Sequence, residues 1–184
     1  RISDDEAIKE SAIAAMSLSF AIQNILIGFA TGIGVGVNAL LSKSLGEGNR
    51  EKANRTAGNG IFLALIATGL FVLFGLFGVK PYYEMQGASR QIVENGIAYT
   101  GICSLFTAGI YFEILFERML QATGRTMHTM VTQGVGAVVN IVLDPIFIFG
   151  VEALGIPAMG AAGAAIATVA GQWMAALLAL IFNL

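Results

Sequence analysis

The sequence predicts an all-helical, polytopic membrane protein, and three observations carry that reading. Hydrophobic residues make up 56% of the 184-residue chain and charged ones 12%, where a soluble domain carries about 25% charge. Mean hydropathy is correspondingly high, at +0.76. The charges gather into short groups and leave uncharged stretches at 11–42, 56–79, 95–112, 126–143 and 153–184, and a spanning helix needs about 20 mostly apolar residues. The third observation is Asp144, an acid inside an apolar run. A soluble helix would show charges along one face at every turn, and these stretches do not.

The five stretches give five helices. The first runs over about 12–41, and its uncharged length implies a long or tilted span. The second covers 57–79. The stretch 95–112 is short for a span, so the third helix is drawn over 92–119, through Glu113. The fourth covers 127–150. Gly155 and Pro157 delay the fifth, which covers 160–183. Short connections make sequential helices antiparallel neighbours. The chain opens on Arg1 and closes on Leu184 without a polar tail, so it is expected to be part of a longer protein. The single cysteine, Cys103, fits a small packing residue.

Orientation follows the Lys and Arg residues beside the helix ends. Lys43, Arg50, Lys52, Arg55, Arg118 and Arg125 fall on one side, six in all, against Arg1, Lys9, Lys80 and Arg90 on the other. Asp4, Asp5, Glu6, Glu10, Glu84, Glu94 and Glu152 share that second side. The 42–56 loop is therefore placed in the cytoplasm. Glycine is ordered as well as abundant. Gly28, Gly32 and Gly36 repeat every four residues, as do Gly163, Ala167, Gly171 and Ala175. Such ridges let helix backbones approach closely. Gly34 beside Gly36 predicts a point of bending in the first helix.

Gln133, Asn140 and Asp144 share one face of the fourth helix, seven and four residues apart. Pro145 has no N–H, which frees the carbonyl of Ile141 and predicts a kink. A carboxylate, an amide oxygen and a freed carbonyl are hard donors suited to Na⁺. A carboxyl at that depth can equally carry a proton. Thr168 lies at nearly the same depth: eight residues after Gly160 is roughly 12 Å, and Asp144, six before Gly150, is roughly 9 Å from the same side. Its hydroxyl is expected to complete the site, or else to bond back to its own helix. The alternative for Asp144 is a structural interhelical hydrogen bond. Gln23, Asn24, Thr31 and Asn38 either line a cavity or bond neighbouring helices. Glu113 and Glu117, with Arg118, read as an interfacial salt-bridge group. His128 reads as a solvated residue at the membrane edge, and Tyr82, Tyr83 and Trp173 as interface or packing aromatics.

Four segments, GVGVNALLSKSLGEGN (34–49), LQATG (120–124), NIVLDPIFIFG (140–150) and GAAGAAIAT (160–168), together resemble the multidrug and toxic compound extrusion family, over nearly the whole chain. The resemblance implies twelve helices in two six-helix lobes, with residues 1–184 a partial N-terminal lobe carrying helices two to six. It implies an antiporter that exports drugs and other organic cations across the plasma (inner) membrane, driven by Na⁺ or H⁺. In family members with an N-lobe cation site, an Asn-x-x-x-Asp pair is matched here by Asn140 and Asp144, and a threonine by Thr168. The family's first-helix aspartate has no counterpart in this sequence. Gln23, Asn24, Asn38 and Gln133 are candidate cavity-lining residues. No organic cofactor and no nucleic acid are expected. The partners are the lipid bilayer, small cationic substrates and the remainder of the protein's own chain.

Two other transport-linked readings stand beside this one: a lipid-linked precursor flippase of the same superfamily, and a structural subunit. Flippase cavities tend to be basic, and these spans hold no deep Lys or Arg. An intramembrane serine hydrolase would need a histidine at depth, and His128 is at the edge; a metalloenzyme would need a group of ligands, and Asp144 is alone at its depth. The topology is testable. Single cysteines at Glu47 and Gln86, in a background lacking Cys103, are expected to react with an impermeant thiol reagent on intact cells at 86 and not at 47. The reverse pattern would overturn the orientation.

Overall fold

The structure, a computed structural model, describes residues 2–151 and 155–184, with side chains from residue 10 onward. Arg1 and Glu152, and the side chains of Asp4, Asp5, Glu6 and Lys9, which entered the orientation count, lie outside what is described. Seven helices follow one another: α1 (Ile2–Gly46), α2 (Arg50–Phe77), α3 (Val79–Met85), α4 (Arg90–Leu105), α5 (Ala108–Ala122), α6 (Thr126–Phe149) and α7 (Gly160–Asn183). By length and composition, α1, α2, α6 and α7 each contain a candidate membrane span, and α4 with α5 makes a fifth if the bent pair crosses as one. α1 packs on α2, α4 and α5, while α7 packs on α4, α5 and α6, so the α4–α5 pair forms the middle of the bundle.

The packing is inside-out, as a lipid-facing protein requires. On α2 the buried positions are Ala53, Gly60, Ala64 and Ala67. Phe62, Leu70 and Phe77 on the same helix are exposed. Lipid tails are as apolar as leucine, so helix association depends on close approach rather than on hiding large side chains. Gly60 lets Val37 of α1 and Leu115 of α5 close on the α2 backbone; an added Cβ would sit 2.7 Å from Val37 Cγ2.

Four expectations are corrected. The third predicted helix, 92–119, is two helices separated at Phe106–Thr107 and bent by 45°. Its backbone follows its neighbours: Trp173 of α7 packs on Gly109, and Ser104 packs on Gly75 of α2. Second, the 80–91 connection is not all loop. α3 is fastened to α1 by Tyr83 Oη, which donates to the Ala15 carbonyl at 2.9 Å. Tyr82 Oη donates to the Leu18 carbonyl at 2.8 Å. Gly96 gives the Tyr83 ring a seat on α4, and Tyr83 Oη also meets Thr100 Oγ1 at 2.7 Å. These two tyrosines are packing aromatics. Third, α1 is continuous past Gly34 and Gly36. Gly34 serves close approach instead, with Arg118 Cγ 2.9 Å and Ile114 Cγ2 3.2 Å from where its Cβ would lie. Fourth, the ridge Gly28–Gly32–Gly36 meets no other described helix within 4 Å.

The second ridge does pack. Gly163, Ala167, Gly171 and Ala175 are all buried on α7. A Cβ on Gly163 would collide with the Phe147 carbonyl of α6, and one on Gly171 would lie 2.7 Å from the Gly136 carbonyl. The Phe147 carbonyl also accepts from the Met159 N–H at 2.9 Å, joining the start of α7 to the end of α6. The turn between them closes with an antiparallel bridge, Val151–Ile156, and Gly150 takes φ 74°. α6 itself runs on through Pro145 to Phe149.

Gly163→Ala is therefore expected to destabilise by about 1–3 kcal/mol, the usual cost of overpacking. Gly32→Ala is expected to change stability by no more than about 0.5 kcal/mol. Thermal melts of the full-length protein in detergent compare them; equal melting points would remove the α6–α7 contact from the account.

Candidate ion site and cavity

The close approach of α6 and α7 sets three polar side chains side by side. Asn140 Nδ2 of α6 lies 3.4 Å from Asp144 Oδ1, one turn on. The same nitrogen lies 3.5 Å from Thr168 Oγ1 on α7. Both separations are long for hydrogen bonds, so the three groups are adjacent without being locked. Thr168 donates its hydroxyl proton to the Ala164 carbonyl at 2.9 Å. The back-bond foreseen as the alternative is thus present, and it leaves the Thr168 oxygen lone pairs to face Asn140. Asp144, Asn140 and Thr168 together offer carboxylate, amide and hydroxyl oxygens. No described lysine or arginine forms an ion pair with Asp144.

Tyr99 of α4 extends this group and was missed in the sequence. It interacts with Thr168 and with the Asp144 charge, and its hydroxyl accepts from Gln23 Nε2 of α1 at 3.1 Å. Polar groups on four helices are thereby joined from Gln23 to Asp144. A tyrosine hydroxyl inside an apolar stretch needs a partner, and that demand was the available signal. Gln23 also borders a small space with Leu26, Cys103, Ile110 and Gln172. Asn24 is exposed. Asn38 accepts from Ser42 of its own helix at 3.2 Å and lies away from the Asp144 group.

A cavity of about 270 Å³ opens between α5, α6 and α7, lined by Glu113, Gln133, Asn140, Thr168 and Gln172, with Gly136 and Gly171 at its back. Gln133 and Asn140 mark its two ends along α6, seven residues or roughly 10 Å apart. The glycine pair that brings the helices together also keeps this space free of side chains.

Glu113 and Glu117 do not form the interfacial salt-bridge group read from the sequence. Glu117 is buried, at 4% exposure. Its Oε1 accepts from Thr132 Oγ1 at 2.7 Å and its Oε2 from Gln133 Nε2 at 2.9 Å. Arg118 instead donates from Nη1 to Gln121 Oε1 at 2.7 Å. α5 packs its Glu117 face onto α6, so neutral donors hold the carboxylate where an arginine was expected. His128 is exposed, as read, with its ring edge-to-face against Phe182. Trp173 packs on Gly109 and remains partly exposed.

Comparison with known proteins gives one consistent result. The family model MatE matches residues 7–146. A protein of Shewanella oneidensis named as an FAD transporter is 27% identical over 166 residues, covering 90% of this chain and 36% of its own length. A probable multidrug resistance protein NorM of Thermotoga maritima is 29% identical, covering 77% of this chain and 30% of its own. The chain thus spans about a third of the length of these relatives. Among solved structures, an inward-facing multidrug resistance MATE family transporter superposes with a TM-score of 0.87 at 28% identity, over 95% of this chain and 38% of that one. A crystal structure of MATE in the bent conformation gives 0.85 at 28% identity, over 94% and 37%.

Removing a donor from Glu117 is the sharpest test of its setting. Thr132→Val leaves Oε1 unsatisfied in a buried place and is expected to cost about 1.5–3 kcal/mol, as for hydrogen bonds to charged groups. A detergent melt unchanged from wild type would show that Glu117 is solvated in the folded protein.

Proposed function

We infer the function from family membership: this chain belongs to the MatE family of multidrug and toxic compound extrusion transporters. Its relatives are membrane transporters rather than enzymes. From that premise the chain is assigned to the N-terminal lobe of an antiporter, as helices two to six. The antiporter exports organic cations across the plasma membrane in exchange for Na⁺ or H⁺. The observation that supports this reading is the group Asp144, Asn140 and Thr168 on two touching helices, with no described cation paired to the acid. An acid at membrane depth is costly to keep there and marks an ion or proton pathway. The site alternates between ion-bound and ion-free forms, which suits contacts of 3.4 and 3.5 Å better than a saturated network would.

A second cargo reading comes from the Shewanella oneidensis relative, whose name points to FAD. FAD is an anionic dinucleotide, and the described cavity presents a carboxylate, Glu113, and no lysine or arginine. Charge complementarity favours the cation.

The test is efflux from proteoliposomes of the full-length protein under an imposed Na⁺ or proton gradient, with a cationic dye and with FAD as cargo. Asp144→Asn keeps the shape of the side chain but holds neither a proton nor a net charge, and is expected to abolish coupled efflux. Asn140→Ala removes one neutral ligand and is expected to lower the rate about tenfold, the equivalent of ~1.4 kcal/mol. Thr168→Ala is expected to be milder, because water replaces a hydroxyl in a wet cavity. Wild-type coupled rates in Asp144→Asn would leave this acid as a structural contact only.

A further inference from the structure

Glu113 and Glu117 stand one turn apart on α5 in different surroundings. Glu117 spends both oxygens on Thr132 and Gln133. Glu113 lines the 270 Å³ cavity, and no described side chain donates a hydrogen bond or forms an ion pair with it. The charge it interacts with is Glu117, of the same sign. Arg118, the nearest basic residue in sequence, is turned toward Gln121. The cavity therefore carries an uncompensated acid at one end. Around it are neutral groups with acceptor oxygens: Gln133, whose N–H₂ is already given to Glu117, together with Gln172 and Asn140.

We propose that Glu113 is the cargo-recognition carboxylate of this lobe: it receives the cationic group of an organic ammonium or phosphonium in the cavity between α5, α6 and α7, apart from the ion held at Asp144. The size of the space selects the ligand class. A bound water takes about 30 Å³, so the cavity is far larger than a dehydrated metal ion needs and falls just short of the roughly 300–1,000 Å³ of small-molecule pockets. It accommodates the charged head of a larger molecule. Glu117 acts as a positioning residue, because its bond to Gln133 fixes that amide in the cavity wall. Asn140 and Thr168 border both the cavity and the Asp144 group. A cargo head at Glu113 and an ion at Asp144 therefore share a wall, and each occupant lowers the need for the other's positive charge.

The proposal rests on the transport reading above, and the experiment separates the two. Equilibrium binding of tetraphenylphosphonium to the full-length protein in detergent is measured for wild type, Glu113→Gln, Ala137→Leu and Glu47→Gln, with folding checked by thermal melt. Glu113→Gln is expected to weaken binding about tenfold or more, as for loss of one charge-assisted contact. Ala137→Leu retains the carboxylate but fills the cavity that Ala137 lines, and is expected to weaken binding similarly even if Glu113→Gln fails to fold. Glu47→Gln removes an equal charge from an exposed loop position and is expected to leave binding unchanged. Wild-type affinity in both Glu113→Gln and Ala137→Leu overturns the proposal, as does an equal loss in Glu47→Gln. Loss of coupling in Asp144→Asn with wild-type phosphonium binding in Glu113→Gln would retain the transporter and discard this role for Glu113.

Discussion

The polar interior depends on α6 and α7 meeting backbone to backbone. Gly163 lies on the Phe147 carbonyl, and Gly136 and Gly171 lie on each other's peptide groups. In lipid no hydrophobic force draws two helices together, so their attraction is the sum of short-range contacts, and each added Cβ removes several at once. The same approach fixes chemistry. Asn140 projects from α6 and Thr168 from α7, and only at this helix separation does one amide nitrogen stand within 3.5 Å of both the hydroxyl and Asp144. Glycine thus has two effects in one seam: it lets the backbones touch, and it leaves the room beside them that becomes the cavity.

Much of this was legible in the sequence, for a simple reason. Helix depth is arithmetic at 1.5 Å per residue, and that arithmetic brought Thr168 level with Asp144. The limits of α6 and α7 were also close, 127–150 and 160–183 against Thr126–Phe149 and Gly160–Asn183, because Gly124 and Gly160 take positive φ at the borders. What failed was anything decided by a partner helix. A glycine repeat shows that some neighbour can come close but not which face has one, so Gly28, Gly32 and Gly36 looked equivalent to the α7 ridge and are not. The break at Phe106–Thr107 is set by Trp173 and Gly75 on other helices, and no periodicity within 92–119 announces it.

The two glutamates of α5 show the same limit in electrostatic form. Charge near a helix end reads as interfacial when an arginine adjoins it. The structure turns Arg118 to Gln121 and Glu117 toward Thr132 and Gln133. Neutral donors stabilise a carboxylate without cancelling its field, so this face of the lobe stays negative. Negative potential in a low-dielectric hollow reaches further than the same charge does in water. Asp144 and Glu113, placed toward opposite ends of α6's polar stripe, therefore act on whatever cation enters between them.

The joint between α4 and α5 has a mechanical meaning. Tyr99, which reaches Thr168 and Gln23, rides on α4, while Glu113 and Glu117 ride on α5. In an unbroken helix, turning one would turn the other, since every peptide is clamped to the fourth before it. Here the ladder is interrupted at Phe106 and Thr107, and the buried hydroxyls of Ser104 and Thr107 bond to no described protein group. Torsion applied to α5 is absorbed in those few backbone bonds. The lower rod can roll its carboxylates toward or away from α6 while the upper rod keeps its grip on the threonine, as a universal joint lets one shaft tilt while the other stays in its bearing.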